Sequence, residues 1–131
     1  EIAVRAIQLG ADFEKISKSL GWKEFEELVA RVFRENGFNT KSRYRFHAQG
    51  RRWEIDVLAT SYPYIVCAEC KHYTSGMGNR TARKIIETHI EKTEVMSEHI
   101  GEIAKKIGVQ NWKNAILVPI TLTLSPTKMN I

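Results

Sequence analysis

The chain has 131 residues, of which 43% are hydrophobic and 27% charged, with 20 Lys and Arg set against 15 Asp and Glu. That length builds one domain with a core of its own and excludes two ordinary ones, and the composition is that of a soluble globular protein. The apolar runs at 64–68 and 115–124 are too short to span a bilayer, Pro119 interrupts the second, and no membrane role is expected. No charged segment followed by an apolar one opens the chain, so no secretion signal is expected and a cytoplasmic location is. A start at Glu1 and a stop soon after an apolar run suggest a piece of something longer, truncated at its C-terminus.

In chain order, Glu1–Leu9 reads as a short helix or the tail of one. "ADFEKISKSLG" reads as a second, capped by Asp12, with Phe13, Ile16 and Leu20 on one face and Gly21 at its end. Residues 1–21 are thus expected to be an N-terminal helical segment, and 22–131 the main domain. "WKEFEELVARVFRENGF" is the clearest helix: Phe25, Leu28, Val29, Val32 and Phe33 follow the 3.6-residue period, and Asn36-Gly37 closes it. "FNTKSRYRF" alternates as a strand, "HAQG" as a turn and "RRWEIDVLAT" as a second strand. Ser61, Tyr62 and Pro63 break the run, and "YIVCAECKHY" follows as a long, mostly apolar third strand. "TSGMGN" is a glycine-rich loop. A long helix is expected from about Thr81 to Ile107, with an inner stripe of Ile85, Ile86, His89, Ile90, Thr93, Met96, Ile100, Ile103 and Ile107. Gly108 ends it, and "NAILVPITL" is a last buried strand, joined to the third by a helical crossover and so parallel to it.

Cys67 and Cys70 form a C-x-x-C. On a strand, residues three apart face opposite sides, and no second pair is present to complete a zinc site. Two packed, reduced thiols are expected.

The third strand raises the chemical question, because Glu69 and Lys71 point the same way from a run built for the interior. In the strand before it, alternation puts Trp53, Ile55 and Val57 on one side, and Glu54, Asp56 and Leu58 on the other. The polar faces of these neighbours bring Asp56, Glu69 and Lys71 together at one end of the sheet. Two carboxylates in one place repel unless a cation sits between them. Lys71 supplies part of that compensation, and a hard divalent ion such as Mg²⁺ or Mn²⁺ more. Such an ion holds a phosphate and lowers the pKa of an attacking water, while Lys71 orients the water or neutralises charge at phosphorus. Taken alone, Glu69 and Lys71 are equally a strand-end ion pair worth at most ~1 kcal/mol.

Asp56 followed by Glu69-Cys70-Lys71 resembles the D…(D/E)-x-K signature of the PD-(D/E)xK restriction-endonuclease-like superfamily. "FEELVARVFRENGF" resembles the opening helix of its Mrr-like and archaeal Holliday-junction-resolvase-like branch, with Ile55 standing where the signature has proline. The resemblance implies an α/β fold with a mixed sheet of about four strands flanked by helices. It also implies Mg²⁺- or Mn²⁺-dependent endonuclease activity on DNA, in restriction or repair, and homodimers for double-strand cutting. It places a glutamate of the opening helix in the site. Glu26 shares its face with Val29, Ala30 and Phe33 and is assigned, whereas Glu27 lines up with Arg31 and Arg34 on the solvated side. Glu26, Asp56 and Glu69, with the Cys70 carbonyl, are then the metal ligands, and Lys71 acts on the water.

Basic residues bunch at Lys41, Arg43 and Arg45, at Arg51 and Arg52, and at Arg80, Arg83 and Lys84. The last two groups are the expected DNA-backbone contacts, near the loop and at the start of the long helix. "SGMGN" lacks the G-K-[S/T] of a P-loop, so no nucleotide cofactor is expected. His72 points off the catalytic face, His47 lies before the turn, and His89 and His99 take core or surface places. Two other readings stand beside the enzyme. One is a nuclease fold that binds DNA without cutting it. The other is a helix-turn-helix within "DFEKISKSLGWKEFEELVARVF", which Glu24, Glu26 and Glu27 on the would-be recognition helix oppose.

Overall fold

The computed structural model describes residues 5–8, 21–72 and 78–124. Strand β1 (Arg5–Gln8) precedes helix α1 (Trp22–Glu35), strands β2 (Asn39–Ala48), β3 (Arg51–Ser61) and β4 (Tyr64–His72), helices α2 (Asn79–Glu98) and α3 (Ile100–Ile103), and strand β5 (Ile116–Leu124). The sheet runs β1-β5-β4-β3-β2. Its β2-β3 and β3-β4 pairs are antiparallel, while β4-β5 and β1-β5 are parallel. This is a mixed sheet of the kind that the resemblance implies.

Both faces of the sheet are covered. On one, Phe25, Val29 and Ala30 of α1 pack against Val57, Ala59, Val66, Ala68, Val118 and Ile120. On the other, Val95, Met96 and Ile103 meet Trp53, Ile55, Leu58, Ile65, Cys67 and Leu117. Strands buried on both sides read as continuous apolar runs, as "YIVCA" and "ILV" do. α1 ends as its sequence predicts. Gly37 adopts φ 86°, and the Phe38 amide returns to the Phe33 carbonyl at 3.0 Å. The β2-β3 hairpin turns on Gln49 and Gly50, both at positive φ, as a two-residue type I′ loop requires.

Three expectations are corrected. Residues Arg5–Gln8, read as part of a helix, form a strand parallel to β5. Four residues carry too little periodicity to declare a strand, and the partner that makes one lies more than a hundred residues away in sequence. The sheet accordingly has five strands. The long helix stops at Glu98, because His99 leaves helical geometry (φ −111°, ψ 17°) with its ring Nδ1 3.0 Å from the Val95 carbonyl. Its apolar stripe continues through α3 to Ile103 and Ile107, so the period survives a break in the backbone. The third correction concerns β3. Trp53 and Ile55 share a face with Leu58, whereas Val57 and Ala59 face α1, so the alternation reverses at Asp56. The helix expected in "ADFEKISKSLG" and most of the "TSGMGN" loop lie outside the described residues.

Candidate active site

The reversal in β3 has a counterpart across the ladder. Arg43 lies between the Ser42–Val57 and Tyr44–Ile55 pairs, opposite Asp56, and its φ is 51°. A bulky residue in left-handed geometry mid-strand is costly and turns both strands at that level. The β3-β4 pairs end at the same level, with Val57–Ala68. Beyond it the Asp56 carboxylate takes the place of a strand carbonyl, accepting the Cys70 amide at 2.8 Å.

The Asp56 carboxyl lies within hydrogen-bonding reach of Glu69. Burial first, and then the Glu69 carboxyl, push Asp56 up to about 8, against a partial offset from the Cys70 amide. Burial also works to raise Glu69, but the bond from protonated Asp56 and the ammonium of Lys92 outweigh it and hold Glu69 down to about 2. At neutral pH the pair therefore shares one proton. Glu26 of α1 is 7% exposed and close enough for its charge to bear on both carboxyls. Burial raises its pKa, and Arg43, whose Nε donates to Glu26 Oε1 at 3.3 Å, opposes that rise. Glu27 pairs with Arg34 on the exposed face, as the helix period requires.

The fit to a cation can be tested on this donor set. Two carboxyls close enough to share a proton, with the Cys70 peptide beside them, are hard oxygen ligands oversupplied with negative charge, which suits Mg²⁺ or Mn²⁺. Glu26 is drawn toward Arg43, and no three acidic, His or Cys side chains converge in metal-binding geometry among the described residues. By the chemistry of its oxygen donors the Asp56–Glu69 pair fits such an ion, while Glu26 is paired with Arg43.

A protein-family model described as "Restriction endonuclease", that of the Mrr catalytic domain, matches residues 17–119. The chain belongs to this family. A protein of Archaeoglobus fulgidus described only as uncharacterized is 33% identical over 89 residues, covering 67% of this chain and 69% of its own. The crystal structure of AF1548, a protein of unknown function, superposes with a TM-score of 0.53 at 21% identity. That likeness covers 81% of this chain and 47% of the other, so the chain spans about half the length of that neighbour.

Within this restriction endonuclease fold, Lys71 and Glu69 line one pocket of about 220 Å³ with Thr81, Lys84, Ile85 and Thr88 of α2. The cation on Glu69, however, is Lys92, whose Nζ donates to Oε2 at 2.8 Å. This corrects the expectation that Lys71 neutralises the glutamate, since among the described residues Lys71 has no ion pair. His89 is buried on the inner stripe where it was expected, and it too lies beside Glu69. Its Nε2 donates to the Cys67 carbonyl at 2.6 Å, which leaves Nδ1 as a buried acceptor 3.7 Å from Glu69 Oε2, with no hydrogen-bond partner. Lys92 and His89 lie three residues apart on the inner face of α2, so the spacing contained the signal. Only the fold shows that this face meets Glu69. Cys67 is buried, with burial pushing its thiol up to about 12. Cys70 is partly buried, and burial raises its thiol too. Both are free, inert thiols.

Arg80, Arg83 and Lys84 are exposed on the first turns of α2 and line a second groove with Asn79 and Glu87. Arg51 and Arg52 are exposed beside the β2-β3 turn, with Arg51 stacked 3.9 Å above the Trp53 ring. They begin β3, roughly 14–17 Å of strand before Asp56, whereas Lys84 of the α2 group shares a pocket with Glu69. His47 is exposed in β2. In the rival helix-turn-helix, the first helix lies outside the described residues. The second is α1, which buries Phe25, Glu26, Val29 and Ala30 in the domain, and its exposed face carries Glu24, Glu27 and Glu35, which oppose a DNA groove. No described helix is long and apolar enough to cross a membrane.

Proposed function

We propose that this domain is an endodeoxyribonuclease that hydrolyses phosphodiester bonds with Mg²⁺ or Mn²⁺. The observation that carries the reading is the Asp56–Glu69 carboxyl pair at the edge of a pocket shared by Lys71 and Lys84. Membership of the restriction endonuclease family supports the reaction class. Asp56 and Glu69, with the Cys70 carbonyl and Glu26, would hold the cation, which supplies charge compensation at the phosphate and a more acidic water.

The chain's own residues do the rest. The Cys70 amide fixes one oxygen of Asp56 and Lys92 fixes one of Glu69, which leaves each carboxyl a second oxygen to offer the cation. Lys71, on the wall of the same pocket, orients the water and neutralises charge that grows on the phosphoryl oxygens. Arg80, Arg83 and Lys84 bind flanking phosphates along α2, and Arg51 and Arg52 bind the duplex farther out. The protein works as a homodimer in the cytoplasm, on chromosomal or foreign DNA.

The test is a cleavage assay over linear, nicked, methylated and branched DNA with Mg²⁺, with Mn²⁺ and with EDTA. Metal-dependent cutting that Asp56→Asn abolishes, with DNA binding intact, is the expected result. Binding without cutting under every condition would replace this reading with that of a DNA-binding module of the nuclease fold.

A further inference from the structure

Arg43 combines three unusual features in one residue. Its backbone sits at φ 51° in the middle of a strand, a conformation that a bulky side chain holds only when its surroundings enforce it. Its guanidinium stacks 4.3 Å from the centre of the Trp22 ring, and Trp22 is itself 51% exposed. Its Nε reaches inward to Glu26, whose side chain is nearly buried, while its own is a third exposed. The arginine thus lies on the rim of the carboxyl cluster with one edge in solvent, holding the one acid that stands apart from the Asp56–Glu69 pair.

An arginine so placed can bind either of two anions: the carboxylate behind it or a phosphate in front of it. A nucleic acid phosphate takes the guanidinium in two parallel bonds and the exposed indole offers a stacking face for the adjoining base, and the single 3.3 Å bond to Glu26 competes poorly with that. We propose that Arg43 is a substrate-sensing positioning residue. It pairs with Glu26 in the free protein and exchanges it for a DNA phosphate, releasing Glu26 toward the cation held by Asp56 and Glu69. The metal site is then completed only where DNA is bound. This rests on the nuclease reading and adds to it an order of assembly and a specific contact at Trp22 and Arg43.

Two measurements that need no cleavage test it. Arg43→Asn and Arg43→Gly both suit the left-handed backbone, so both should fold, and a thermal melt checks that they do. Without DNA, each should bind Mn²⁺ about three- to fivefold more tightly than the wild type, the span of a partly exposed ion pair. Glu26→Gln should erase that gain in the double variant. In EDTA, the Arg43 variants should bind duplex DNA more weakly, with a salt slope shallower by about one contact. Glu26→Gln should tighten DNA binding only where Arg43 is present. Mn²⁺ affinity that is unchanged or lower in the Arg43 variants overturns the exchange, as does DNA tightening by Glu26→Gln without Arg43. Asp56→Asn separates this failure from a deeper one. If it loses Mn²⁺ binding and the wild type cuts DNA, only the exchange has failed. If wild type and Asp56→Asn bind Mn²⁺ alike and neither cuts, the nuclease reading falls and the exchange falls with it.

Discussion

Replacing Asp56 by asparagine should make the metal-free protein more stable at neutral pH, although it alters a residue at the centre of the site. The new amide can still accept the Cys70 N–H through its Oδ1, so the strand contact at 2.8 Å is kept. What disappears is a carboxyl pushed from an ordinary 3.8 up to about 8 by burial and by Glu69. A folded-state pKa above the unfolded one means that the native protein holds a proton the unfolded chain has released. Native stability then falls as pH rises between about 4 and 8, at no more than about 1.4 kcal/mol per pH unit. Glu69, held down to about 2, works in the opposite sense. Its stabilisation is present above its unfolded value near 4.5 and is lost as pH falls toward 2. The two together put the optimum of the metal-free pair near pH 4–5. Discounting for the solvent that reaches Asp56, the wild type should lose about 2 kcal/mol between pH 5 and 8, or roughly 5–8 °C in Tm. Thermal melts in EDTA across that range read the slope directly, and Asp56→Asn should flatten it. Mg²⁺ should stabilise the wild type increasingly as pH rises, because the ion replaces the shared proton, and should leave Asp56→Asn nearly unchanged. Parallel pH–Tm curves for the two proteins in EDTA would refute the shared proton.

Lys71→Ala should lower turnover far more than DNA affinity, and Lys71→Arg should fold, bind and cut poorly, because a broad guanidinium cannot replace a compact ammonium beside water. Single-turnover cleavage at saturating DNA separates the two effects. Arg83→Ala should do the reverse, weakening binding and flattening the salt dependence by about one phosphate contact with little change in saturated rate, as a binding titration against salt would record. Lys92→Met should cost about 2–3 kcal/mol in a urea titration, near the lower end for breaking a buried ion pair, since it strands a Glu69 that is 8% exposed. Adding Glu69→Gln to Lys92→Met should recover most of that loss.

Much of this was legible because the sequence obeys its periods. One residue turns the helix by about 100°, which takes Glu26 into the α1 stripe and Glu27 out of it, and the burial of the two differs accordingly. The apolar third and last strands declare themselves central, and the crossover between them makes them parallel. What could not be read was everything that depends on a partner distant in the chain. Arg5–Gln8 becomes a strand only against Ile120–Thr123. Lys92 reads as an ordinary polar position on a helix until Glu69 is found 2.8 Å from it.

The most informative failure is the alternation of β3. Period two assigned Asp56 to a face, and the chain reverses its faces at that residue, opposite an arginine in left-handed geometry. A regular ladder would bury the Asp56 side chain in one layer and satisfy the Cys70 amide with a backbone carbonyl. The reversal instead turns Asp56 into the gap where β3 leaves β4, so that a side chain takes over a strand hydrogen bond and meets Glu69. Local rules break where two strands must hold charged groups together against their own repulsion, and other contacts must carry the cost. Here those contacts are the packed layers above and below, which bury Ile55 and Val57 completely on either side of the aspartate. The acid that looked misplaced between two aliphatic residues is held by them: their burial in opposite layers anchors the backbone that aims the carboxylate.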